Sequence, residues 1–251
     1  MSLRLRCDIK SKDKIMKKIT KYMVTSALTA ALMAPVAMAN TKDDETRSVS
    51  SFDKVAILGS LDMKVNVGGK QKVVVHGPAD LISHIETEVE DGTLSVHYEE
   101  DFEWNRKWRN AKVWVEVTAP SLSAATIKGS GDLDIEDGKG DSFAVVVRGS
   151  GDLTANNMRY KDFKTETRGS GNITVRGTCD NIMASIHGSG DLNAEDMKCK
   201  NASASVQGSG DITVYASNMA QARVRGSGDI RVNGNPKKVD AKESGSGSID
   251  Y

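Results

Sequence analysis

Only three of the 251 residues are cysteine and four are histidine. His76, His84 and His97 have neither paired cysteines nor His-Glu-x-x-His spacing around them, which excludes the usual zinc sites. Neither sign of charge is in excess: 34 Lys/Arg stand against 34 Asp/Glu. Long apolar runs are missing too. The stretch from Tyr22 to Ala34 is too short and alanine-rich to span a bilayer. It follows Met16, Lys17, Lys18 and Lys21 and precedes Ala37-Met38-Ala39, which is the pattern of an export signal cleaved after Ala39. Residues 1–15 read as an upstream extension and 40–50 as a polar, disordered leader. No cysteine at the cleavage point offers a lipid anchor. Without residues 1–39 the chain carries 26 basic and 32 acidic residues, a net charge of −6, which argues against a nucleic-acid partner.

What the sequence does have is repetition. Gly-Ser-Gly begins at Gly129, Gly149, Gly169, Gly188, Gly208, Gly226 and Gly245, every 18 to 20 residues. Asp follows it at Asp132, Asp152, Asp191, Asp211 and Asp229; Asn172 and Ser248 take that place in the other two copies. After each phrase comes a short alternation, such as Leu133/Ile135, Leu153/Ala155 and Ile173/Val175. Before the next comes another, such as Phe143/Val145/Val147, Phe163/Thr165/Thr167 and Ile182/Ala184/Ile186. Period two means strand with one buried face. A period near 19 is too short for a helical crossover, and no Leu-x-x-Leu-x-Leu pattern is present. The expected fold is all-β: a right-handed parallel β-helix over 129–251, each coil stacked on the last.

Residues 51–128 show further strand patterns: 55–58, 61–67, 72–76, a hairpin 85–98 across Asp91-Gly92, and 112–118. They predict an antiparallel β layer capping the first coil. Gly59-Ser60-Leu61-Asp62 resembles a degenerate repeat phrase, so the layer could continue the coil geometry. Cys179 and Cys199 each lie nine residues before the next Gly-Ser-Gly, at the same place in adjacent coils. A disulfide and a ladder of two free thiols are both open to them.

Taken together, Phe52…Gly59-Ser60, Gly77-Pro78-Ala79-Asp80-Leu81, Glu88-Val89-Glu90-Asp91-Gly92-Thr93-Leu94, Val115-Glu116-Val117-Thr118-Ala119-Pro120 and the Gly-Ser-Gly-Asp series resemble the DUF2807 family. That family is described as a "putative autotransporter adhesin head", or GIN, domain. The resemblance covers about residues 50–250 and implies an exported β-helical domain with an adhesive role and no established activity.

Two sets of residues are candidate sites. Stacked on successive coils, Asp132, Asp152, Asp191, Asp211 and Asp229 would form an acidic ladder, and oxygen ligands in a row suggest calcium. The favoured alternative gives each carboxylate to turn amides, with no cofactor at all. Loop 99–110 concentrates Trp104, Arg106, Trp108 and Arg109, residue types that dominate binding hot spots and, for the aromatics, suit sugars. The alternative is a hairpin tip whose tryptophans fold back as a lid. Catalysis has little footing: serines recur in every corner, and no Gly-x-Ser-x-Gly elbow links a strand to a helix. A polysaccharide lyase or hydrolase would need an irregular break that these uniform coils do not show. The reading is therefore a non-catalytic, adhesin-like binding module of the periplasm or cell surface. Its partner would be an envelope protein or glycan; a structural, self-assembling role is the alternative.

Overall fold

The computed structural model describes residues 43–251, so the signal-peptide pattern and the upstream extension lie outside the described residues. Ahead of the repeats run β1 (Asp43–Arg47), β2 (Lys54–Gly59), β3 (Asp62–Val67) and β4 (Lys72–Gly77). A one-turn helix α1 (Ala79–Ile82), β5 (Ile85–Glu90), β6 (Thr93–Tyr98), a 3-10 turn (Arg106–Trp108) and β7 (Trp114–Ala119) follow. The coils are built from β8 (Ala124–Gly129), β9 (Leu133–Glu136), β10 (Lys139–Gly149), β11 (Leu153–Gly169), β12 (Ile173–Gly188) and β13 (Leu192–Gly208). β14 (Ile212–Gly226), β15 (Ile230–Asn233), β16 (Lys238–Gly245) and β17 (Ile249–Asp250) complete them. The result is a nearly all-β chain whose parallel coils stack into a solenoid of about six turns.

Register follows the repeat. Gly149 pairs with Gly169, Gly169 with Gly188, Gly188 with Gly208 and Gly208 with Gly226. The corner phrase has a backbone reason. In each corner the Ser and second Gly amides converge on one carbonyl of the coil before; Ser150 and Gly151 both donate to the Gly129 carbonyl, at 2.9 and 3.1 Å. Gly149 takes φ +130°, and a Cβ there would overlap that same carbonyl. Side chains are excluded by both backbone angle and space.

The inward rows match the alternation, and a third row joins them. In β11, Leu153 and Ala155 face in, then Met158 and Tyr160, then Phe163, Thr165 and Thr167. Each full coil thus has three sides rather than the two short strands expected from the alternation. β11 bends through its corners at Asn157 (φ +56°) and at the exposed pair Lys161-Asp162. The Tyr160 hydroxyl is satisfied by donating to the Leu122 carbonyl at 2.8 Å, and burial pushes its pKa up to about 12. Thr167 has no such partner: its hydroxyl is buried and unpaired.

The N-terminal layer differs from the expectation in two ways. It is not antiparallel throughout. β4 pairs antiparallel with β7, and β5 with β6, but β2 and β3 pair parallel with β8 and β9 on one side and with β6 and β7 on the other. Gly59 sits in register with Gly129, so Gly59-Ser60-Leu61-Asp62 is the first corner of the solenoid, as the degenerate phrase suggested. Secondly, the leader 40–50 is not without structure. Residues 43–47 form β1, antiparallel to β4, and Arg47 donates to the Ile82 carbonyl at 2.9 Å. The physical reason is an otherwise open edge of β4, which a strand of any polar composition can pair with through its backbone.

Candidate binding surface

The aspartates of the corners stand in single file, each tied to the next coil. The Asp152 amide donates to Asp132 Oδ1 at 2.9 Å and the Asn172 amide to Asp152 Oδ1 at 2.8 Å. Asp191 donates to Asn172, Asp211 to Asp191, Asp229 to Asp211 and Ser248 to Asp229, at 2.7–2.9 Å. The file begins at Asp62, whose Oδ1 accepts from the Asp132 amide at 3.0 Å. Asn172 does the same work as its neighbours without charge. The Ser248 amide and hydroxyl hold the Asp229 carboxyl below the ordinary carboxylate range. Among the described residues no three His, Cys, Asp or Glu side chains gather as a metal site would need. The side chains of the file satisfy amides at corners that would otherwise lean on water.

The histidines are likewise tied locally. His76 contacts Asp44 at 2.7 Å and Glu116 at 3.3 Å, and His84 contacts Glu99 at 2.6 Å. Cys179 and Cys199 pair in register on the second side of their coils and are joined as a disulfide, with Cα atoms 4.5 Å apart.

The tryptophan loop divides into a root and a tip. Asn105 accepts from the Lys107 amide at 3.1 Å and starts the 3-10 turn, which carries Trp108 inward to 7% exposure. Trp108 Nε1 donates to Asp80 Oδ2 at 3.1 Å, and Lys107 Nζ reaches the same oxygen at 2.8 Å. These two donors, Lys107 foremost, hold the Asp80 carboxyl below its usual range. Phe102 stacks on Tyr98 at 4.5 Å and lies 5.4 Å from Trp108. Trp104 stays out, 58% exposed. Trp104, Arg106, Trp108 and Arg109 together line one open depression of about 400 Å³. Trp104 also borders a second, of about 440 Å³, with Tyr98, Trp114, Asp62 and Lys64. The loop is both lid and platform: Trp108 packs and Trp104 presents.

The family model described as "Putative auto-transporter adhesin, head GIN domain", DUF2807, matches residues 51–236. The chain belongs to the DUF2807 family. Its stacked coils extend beyond the matched span to β17, and β1 lies ahead of it. A crystal structure of a "putative adhesin" from Bacteroides fragilis superposes on this DUF2807 chain with a TM-score of 0.78 at 25% identity, over 84% of this chain and 97% of that one. A "putative lipid binding protein" from Parabacteroides distasonis gives a TM-score of 0.68 at 24% identity, over 83% and 96%. A "putative adhesin" from the same species gives 0.62 at 22%, over 84% and 97%. The last two share the fold. No curated protein matches the chain. Among the described residues of this DUF2807 member, no helix is long and apolar enough to cross a membrane.

Sequence reasoning named the tip of this surface and missed its far wall. Trp114 looks like one more residue of an alternating strand, and Tyr98 like the end of a hairpin. The parallel pairing of β3 with β7 sets Asp62 directly opposite Trp114. Nothing in their 52-residue separation signals that meeting.

Proposed function

We propose that this DUF2807 chain is an exported, non-catalytic, adhesin-like binding module of the cell envelope, and that Trp104 is the centre of its contact with a protein or glycan partner. The observation that carries this reading is the exposure of one large aromatic on a firmly rooted loop. An indole has only two side-chain torsions to fix and a large amphipathic surface to bury, so it loses little conformational entropy on binding, which is why such residues dominate interfaces. The family description and the adhesin of Bacteroides fragilis support the functional class. Export to the periplasm or cell surface rests on the signal pattern of residues 16–39 together with that class. The test is retention of purified protein by an immobilised envelope fraction. Trp104→Ala is expected to weaken retention by about tenfold or more while leaving the melting temperature within about 2 °C. Equal retention of wild type and variant would overturn the reading.

A structural role within an assembly is favoured by a different surface. Met183 and Met219 are 51% and 40% exposed over a groove floored by Phe143, Phe163 and Ile182. Solution mass is the discriminating measurement for that second reading, since a monomer at high concentration would count against self-assembly.

A further inference from the structure

The cleft on the β3/β7 side of Trp104 has the chemistry of a sugar site, an inference that rests on Trp104 being the contact surface. Its lining is aromatic: Tyr98, which is backed by Phe102, Trp114, which is backed by His76, and Trp104, 6.0 Å from Tyr98. Its rim is charged and short of partners. Asp62 lends Oδ1 to the Asp132 amide, while its second oxygen accepts no protein hydrogen bond among the described residues. That carboxylate lies close enough to Tyr98 to reinforce the effect of burial on the phenol, whose pKa is raised. Lys64 and Lys112 border the same cleft and form no salt bridge among the described residues. Lys64 Nζ stands 5.6 Å from the centre of the Trp114 ring. An acyl chain would leave three charges facing it, each costly to desolvate. A pyranose matches both features: its C–H face covers an aromatic ring, and its hydroxyls act as donors and acceptors together.

We propose that this cleft holds a hexopyranose unit of a surface glycan. The sugar ring stacks on Trp104, one hydroxyl donates to Asp62, and the ammonium groups of Lys64 and Lys112 donate to hydroxyl oxygens.

The test is an array of neutral hexose oligosaccharides probed with the full chain, followed by titration of the strongest one. Asp62→Asn is the informative variant. It keeps an acceptor for the Asp132 amide, as Asn172 does for Asp191, and removes only the charge. Binding of at least one oligosaccharide is expected, weakened about tenfold or more by Trp104→Ala and by Asp62→Asn, and largely kept by Trp104→Phe. No bound oligosaccharide, or binding that both weakening variants leave intact, would overturn the proposal. A blank array alongside Trp104-dependent, protease-sensitive retention by the envelope fraction would overturn the sugar while leaving the Trp104 surface standing.

Discussion

Thr167 occupies a row that Val147, Ile186, Val206 and Val224 fill in other coils, all fully buried. A hydroxyl in that row has lost its water and found no acceptor. Thr167→Val replaces it with an isosteric methyl and is expected to raise stability by about 1 kcal/mol, a melting shift of roughly 2–4 °C on calorimetry. Asp80 supplies a prediction of opposite sign. Its folded pKa is depressed, so its contribution is complete above the ordinary value of 3.8 and is lost as pH falls through the lower folded value. Trp108 emission, read in a Trp104→Phe/Trp114→Phe background, is expected to shift red in that acid window. Asp80→Asn is expected to remove the pH dependence of the shift. The Gly-Ser-Gly-Asp corner was legible at this scale because glycine and a short acceptor side chain each answer a backbone need. The direction of the Asp bond was not, since it runs to the coil above and not within its own turn.

At the scale of elements, the inward sets of the first and third sides were readable because two or three buried residues alternate in most coils, apolar except for Thr165 and Thr167 in β11. The second side was hidden. Met158 and Tyr160, then Cys179, then Met197 and Cys199, present a changing mixture between corners marked only by polar residues. Gly177 marks where β12 drops a residue relative to its neighbours; its pairing partner is Met158, and the register shifts there. The cysteines were legible through spacing alone, since equal distances from two corners mean equal places in two coils. The bridge closes a separation of 20 residues and fixes one coil to the next. Reduction, or Cys179→Ser, is expected to cost about 3 kcal/mol, a melting decrease of roughly 6–12 °C. Equal melting curves with and without reductant, on protein whose intact mass shows the bridge, would contradict this.

For the molecule as a whole, the solenoid's uniformity is what isolates the candidate site. Seven Gly-Ser-Gly corners repeat one backbone solution; the irregular N-terminal layer is where aromatic residues collect. That contrast was visible in the sequence as a loop rich in Trp and Arg beside a monotonous repeat. Its completion by Asp62, Tyr98 and Trp114 was not, because parallel pairing across β3 and β7 joins residues with no local pattern in common. Everything rests on coils held in register through their exposed corners. Residue-resolved amide hydrogen exchange measures this directly, because a solvent-facing Gly-Ser-Gly-Asp turn without neighbours would exchange within the dead time. The account predicts slow exchange at the amides of Asp152, Asn172, Asp191 and Asp211, each donating to the carboxylate or amide oxygen of the coil before. Exchange at those four amides as fast as in loop 99–110 would contradict it.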